Sequence, residues 1–139
     1  MSAFASTILI ADDHEDSRAI IRTMLEHFGR RVLEAWDGEE CLRKARAARP
    51  DVIVLDLVLP ILDGWETARA LRQDPATAPI PILAFTAAVL PEQRERAIQA
   101  GCDAVLVKPA SPTALLSAID TLLARAQRPV SAESSPRIV

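Results

Sequence analysis

Lysine is scarce in this sequence. Of 16 basic residues among 139, only Lys44 and Lys108 are lysines and the rest are arginines. No Lys/Arg cluster stands out and the net charge is −3, so nothing in the charge pattern points to nucleic acid as a partner. Cysteine is sparse too. Cys41 and Cys102 lie far apart, form neither a metal-ligand nor a redox spacing, and read as free buried thiols. No apolar run approaches the ~20 residues of a membrane span, so no membrane partner is expected. The opening segment MSAFAST has neither a basic start nor an apolar stretch, so no secretory signal is read there and the expected location is cytoplasmic. What is present is ordinary: half the residues are hydrophobic and a quarter charged, the balance of one soluble domain with a single core.

The chain is organised around residues 51–64, DVIVLDLVLPILDG. Val52–Leu55 is an unbroken aliphatic run, too short for a helix, and reads as a strand buried on both faces of a parallel sheet. It ends on Asp56; Pro60 then interrupts the apolar character, and Asp63-Gly64 opens a helix. Earlier in the chain, Thr7–Ala11 (TILIA) is another buried strand, ending on Asp12 and Asp13. Ile20, Ile21, Met24, Leu25 and Phe28 recur at helical spacing, with Gly29 as the cap. Arg31–Ala35 is a more polar strand suited to an edge. Asp37 and Glu40 resemble a capping box for a helix with the stripe Cys41, Leu42, Ala45 and Ala48, ended by Pro50.

After the central strand, a helix over 64–72 carries Trp65, Ala68 and Leu71 on one face. Ile82–Phe85 is a fourth strand ending at Thr86, and Pro91 and Gly101 bracket the next helix. Ala104–Val107 is a fifth strand ending at Lys108-Pro109. Ser111 and Pro112 open a last helix along Leu115, Leu116, Ile119, Leu122, Leu123 and Ala126. Residues 129–139, PVSAESSPRIV, read as a disordered tail, which leaves the domain at 1–128. Trp36 and Trp65 read as packing groups, Trp36 near the mouth of the strand ends, and His14 as a loop residue.

Strands alternating with amphipathic helices imply an α/β fold, a parallel sheet covered on both faces. Five such units fit a three-layer α/β/α sandwich of order 2-1-3-4-5, the flavodoxin-like arrangement. In that order Asp12, Asp13 and Asp56 converge on one crevice, with Thr86 and Lys108 ending the next two strands beside it. Three carboxylates in one crevice repel each other unless they take up protons or bind a cation. Hard oxygen ligands with open positions suit magnesium, which favours one or two carboxylates, waters and a phosphate oxygen. A slim ammonium on a flexible stem, Lys108, can reach into such a pocket and neutralise a phosphate oxygen, or Asp56 when no phosphate is present. The Thr86 hydroxyl can donate to another oxygen. These parts describe phosphoryl transfer to a carboxylate.

In order and spacing, ILIADD, VIVLDLVLPILDG, ILAFTA and VLVKPA resemble the receiver domain of two-component response regulators, over about Thr7 to Ala126. The resemblance implies that Asp56 accepts a phosphoryl group from a histidine on a sensor kinase or phosphotransfer protein. It implies that Asp13 and Asp56 ligate Mg2+ through side chains and Val58 through its backbone carbonyl, with Asp12 acting through a metal-bound water. Thr86 and Lys108 match the switch hydroxyl and the phosphate-binding lysine, and the Lys108–Pro109 peptide is implied to be cis. The chain is then a phosphoacceptor signalling protein rather than an enzyme. Only eleven residues follow Arg128, so output is expected through contact with an unknown downstream protein, unless the chain is a piece of a larger one.

The chain departs from the family pattern in three respects. Val105 stands where many members carry an aromatic ring that moves with the threonine, and Ala110 stands where a Phe is common. The face made by the fourth helix, fifth strand and fifth helix is therefore expected to be flatter and to signal through backbone shifts. An unchanged fourth-helix face with and without a phosphate mimic would rule that out. Val58 and Ala88 flank the water approach and neither can orient a water, so self-dephosphorylation is expected to be slow; rapid loss of phosphate from the purified protein would contradict this.

Other chemistries fit less well. An aspartate-nucleophile phosphatase needs a second acid two residues after the nucleophile, where this chain has Val58. A flavin module needs a Ser/Thr/Gly-rich loop after the first strand, where this chain has Asp12-Asp13-His14-Glu15-Asp16. An unphosphorylated receiver-like scaffold remains an alternative, although no part of the pocket is missing.

Overall fold

The computed structural model describes residues 6–87 and 90–127. Ala88 and the tail at 129–139 lie outside the described residues. Five strands alternate with five helices: β1 (Thr7–Ala11), α1 (Glu15–His27), β2 (Arg31–Ala35), α2 (Gly38–Ala48), β3 (Val52–Leu55), α3 (Gly64–Gln73), β4 (Ile82–Thr86), α4 (Pro91–Ala100), β5 (Ala104–Val107) and α5 (Pro112–Gln127). The strands form one parallel sheet in the order β2-β1-β3-β4-β5. The three-layer arrangement read from the alternation is thus the fold of the chain.

Strand side chains alternate across the sheet and build one apolar cluster on each face. Leu9, Ile53, Leu55, Ile82 and Ala84 pack with Cys41 and Ala45 of α2, Trp65, Ala68 and Leu71 of α3, and Ala97 and Ala100 of α4. On the other face, Ile8, Ile10, Val54, Leu83 and Phe85 pack with Ile21 and Leu25 of α1 and Leu115, Ile119, Leu122 and Leu123 of α5. Every residue of β3 is buried, as expected of a strand covered on both sides. Both cysteines are free, and burial, the largest effect on each, pushes both thiols up to about 12.

Local chemistry fixes the helix ends. Asp37 Oδ1 accepts the Glu40 N–H at 2.7 Å, while the Glu40 carboxylate accepts the Trp36 N–H at 2.8 Å, one residue earlier than a capping box requires. Asp63 Oδ1 caps α3 through the Glu66 N–H, and Ser111 Oγ caps α5 through the Ala114 N–H. Gly29, at φ +81°, follows α1, where the Gly29 and Arg30 N–H groups donate to the Glu26 and Leu25 carbonyls. Two residues of the expected α1 stripe are not in the core: Ile20 and Phe28 are exposed. The buried line of α1 is Arg18, Ile21 and Leu25, so Ile20 is turned aside by one position, while Phe28 lies past the helix end. Trp65 is buried, with Arg96 stacked 4.4 Å from its ring centroid, whereas Trp36 is more than half exposed.

Candidate functional site

Register brings the carboxyl ends of the strands level. Ala11 pairs with Ala35 on one side and with Leu55 on the other; the Asp12 N–H then donates to the Ala35 carbonyl and the Asp56 N–H to the Ala11 carbonyl. Thr86 pairs with Val107, and the Lys108 N–H donates to the Thr86 carbonyl at 2.9 Å. Asp12, Asp56 and Lys108 therefore each stand one step past the end of a ladder, where the backbone is still held by its neighbour.

Asp12 and Asp56 are buried, Asp13 is exposed, and Thr86 is fully buried. Carboxylate oxygens of Asp12, Asp13 and Asp56 and a ring nitrogen of His14 all lie within 4.8 Å of one another. Lys108 crosses the crevice: its Nζ donates to Asp12 Oδ2 at 2.8 Å and to Asp56 Oδ2 at 3.0 Å. Burial raises the Asp12 carboxyl, but hydrogen bonds from Lys108 and the His14 backbone N–H, with the charge of Lys108, outweigh it and hold that carboxyl below its usual range. Burial likewise opposes the Lys108 ammonium, and the hydrogen bond to Asp12 with the charge and hydrogen bond of Asp56 more than compensate, so its pKa is raised. The Lys108–Pro109 peptide is cis, as the resemblance implied. Lys108 Nζ also stands 5.3 Å from the Phe85 ring centroid.

The loop after β3 folds tightly under Asp56. The Val58 N–H donates to Asp56 Oδ1 at 3.0 Å, and the Gly64 N–H donates back to the Leu57 carbonyl at 2.9 Å. A Cβ on Gly64 would stand 2.4 Å from Leu57 Cα and 2.5 Å from the Asp56 carbonyl oxygen, so only glycine lets α3 start this close to the carboxylate. Ile61, at the outer bend, takes φ +71° and is 73% exposed. A β-branched residue is rarely found in that left-handed region.

The expected site residues Asp12, Asp13, Asp56 and Lys108 come together, and Thr86 ends the strand beside them. Val58 contributes its N–H to Asp56 and points its side chain to solvent. Val105 is half-buried against the apolar cluster under α4. Two features escaped the sequence reading. His14 is not merely a loop residue: its Nδ1 is 3.2 Å from Asp12 Oδ1 and 3.1 Å from Asp13 Oδ1. Arg18 is buried and reaches both Glu34 and the Asp12 backbone carbonyl. The spacing of Arg18 with Ile21 and Leu25 on one helical line was the available sign.

Three carboxylates faced by a single ammonium leave an oxygen-rich, negatively charged crevice fit to hold a divalent cation. One of these carboxylates, Asp56, has one oxygen held by an N–H and the other by an ammonium, which fixes its direction in the crevice. The model of the response regulator receiver domain matches residues 8–120. The chain belongs to the receiver-domain family. Among relatives, this receiver is 38% identical over 128 residues to the alkaline phosphatase synthesis transcriptional regulatory protein PhoP of Bacillus subtilis, covering 92% of this chain and 52% of that one. It is 32% identical to the polar-differentiation response regulator DivK of Brucella anthropi, covering 84% of this chain and 95% of DivK. The chain thus spans about half the length of several curated relatives and nearly all of DivK. The receiver domain of the sensor histidine kinase PA1611 from Pseudomonas aeruginosa, solved with a magnesium ion in its active-site cleft, superimposes with a TM-score of 0.81 at 32% identity, covering 87% of this chain and 99% of that one. Among the described residues of this receiver, no helix is long and apolar enough to cross a membrane.

Proposed function

We propose that this receiver accepts a phosphoryl group on Asp56 from a phosphohistidine of a histidine kinase or histidine phosphotransfer protein, with Mg2+ in the crevice, and signals by protein–protein contact. The observation that carries this reading is the Lys108 ammonium bridging Asp12 and Asp56 inside a cluster of three convergent carboxylates. A carboxylate oxygen of Asp56 attacks phosphorus and forms an acyl phosphate. The P–N bond breaks, and its electron pair returns to the imidazole nitrogen, which takes up a proton.

Asp12, Asp13, Asp56 and the Val58 carbonyl would hold the Mg2+, which supplies charge neutralisation at the incoming phosphoryl oxygens. Lys108 moves from the Asp56 carboxylate to a phosphoryl oxygen, and the Thr86 hydroxyl donates to another. Asp12 keeps its charge at neutral pH because Lys108 and the His14 N–H favour the ionised form over the effect of burial. On this reading the chain is a stoichiometric acceptor, not an enzyme with a separate substrate, and it works in the cytoplasm beside its donor.

The test is incubation of the full chain with acetyl phosphate and magnesium, then mass mapping of the modified residue. One phosphoryl group on Asp56, lost with Asp56→Asn or with a chelator, supports the reading. Modification elsewhere, or none, overturns it in favour of an unphosphorylated scaffold.

A further inference from the structure

Arg18 is a charge buried in the middle of a helix face that otherwise packs on the sheet. Its side chain is 10% exposed, and it sits on the line of Ile21 and Leu25. Nε donates to Glu34 Oε1 at 2.9 Å, and a terminal nitrogen donates to the Asp12 backbone carbonyl at 2.7 Å. The other Glu34 oxygen accepts from Arg22, and the Glu34 carbonyl accepts from Lys44 Nζ. A buried ion pair is often replaceable by apolar side chains at no loss of stability, so stability alone gives no reason for this one. What distinguishes it is the atom it reaches. The Asp12 carbonyl belongs to the peptide that joins the two acidic residues ending β1, and it lies just beyond the sheet ladder. Rotation of that peptide would swing the Asp13 carboxylate relative to that of Asp12.

We propose that Arg18, anchored by Glu34, is a positioning residue for the cation site: it locks the Asp12–Asp13 peptide plane and so fixes the separation and direction of the two carboxylates. The planar guanidinium fork serves both acceptors at once, whereas an ammonium at this position reaches one of them. The Asp12 N–H is held by the Ala35 carbonyl, and its carboxylate by the His14 N–H and Lys108, so Arg18 supplies the constraint on its carbonyl. Arg22 serves as the internal control, since it binds the same Glu34 carboxylate without touching Asp12. The inference rests on the magnesium reading above.

The experiment is calorimetric titration of Mg2+ into the full chain, with thermal melts of the same samples. Arg18→Lys is expected to weaken Mg2+ binding about 10-fold, the scale on which partners of metal ligands act. Arg18→Met, which keeps an unbranched stem, is expected to do the same. Arg22→Met is expected to lose thermal stability with its Mg2+ affinity unchanged. Phosphorylation of Arg18→Lys by acetyl phosphate should recover as magnesium is raised, which a merely destabilised fold would not do. Equal affinity in the wild type and both Arg18 variants overturns the inference and leaves the function intact. So does an equal loss of affinity in Arg22→Met. A wild-type chain that binds no Mg2+ overturns the functional reading and this inference together.

Discussion

Removing the ammonium from the crevice is the most direct perturbation. In Lys108→Met, Asp12 and Asp56 keep their burial and lose the group 2.8 and 3.0 Å from their oxygens. With charge centres about 4 Å apart and an effective dielectric near 20, each pair is worth about 4 kcal/mol of attraction, set against several kcal/mol for desolvating the ammonium. Stranding buried carboxylates costs about 3–5 kcal/mol, and because a fifth of the Lys108 side chain is exposed the lower end applies, about 3 kcal/mol. For a domain of this size that is a fall in Tm of about 10 °C without magnesium.

Two dependences identify the cause. Saturating magnesium should close much of the gap, since the cation restores positive charge between the same oxygens, and the variant should bind it more tightly with no ammonium to displace. The pH dependence has a definite sign. Asp12 is held below its usual range, so its share of the stability is complete above the unfolded value of about 3.9 and is lost as the pH falls through its lower folded value. Lys108 is raised, so its share is complete below about 10.4 and is lost as the pH rises through its higher folded value. The gap between wild type and variant should therefore be widest from neutral to mildly alkaline pH; it shrinks as the pH falls and the stranded Asp12 carboxyl of the variant takes up a proton, and as the pH rises through the Lys108 value. Chemical denaturation across pH, with and without magnesium, measures it. A gap indifferent to both would refute the electrostatic account.

Other expectations follow from single sites. Arg72 donates to the Gly101, Ala78 and Ile80 carbonyls and to Asp103, so Arg72→Met should destabilise by about 3 kcal/mol in urea unfolding; under ~1 kcal/mol would show those carbonyls re-satisfied by water. Ile61→Asn, at φ +71° and exposed, should stabilise by about 1 kcal/mol, and no gain would mean the bend is unstrained. Gly64→Ala should cost about 3 kcal/mol and slow labelling of Asp56 by acetyl phosphate, because its new methyl overlaps the backbone beneath that carboxylate; wild-type rates would contradict the geometry.

The sandwich was legible because aliphatic strand runs and helical stripes alternate without ambiguity; all five strands fall within one residue of where their sequence places them. The convergence of Asp12, Asp13, Asp56 and Lys108 was legible for the same reason, since strand order alone brings those ends together. The Arg18–Glu34 pair was not. It joins α1 to β2 across sixteen positions, and an arginine inside an apolar stripe looks the same whether it snorkels to water or turns inward. Ile20 and Phe28 failed in the opposite sense: helical periodicity marks an apolar stripe wider than the line that touches the sheet. The left-handed bend at Ile61 had no sign at all, because isoleucine is among the residues least expected there.

The sheet keeps its two apolar clusters apart, one shared by α1 and α5, the other by α2, α3 and α4. A molecule leaning on one pair of helices leaves the opposite trio untouched. Only the rim where the strands terminate belongs to both halves, and that rim carries the acids and the ammonium. Two partners seated on opposite flanks would therefore leave that rim uncovered and stand beside the same chemistry.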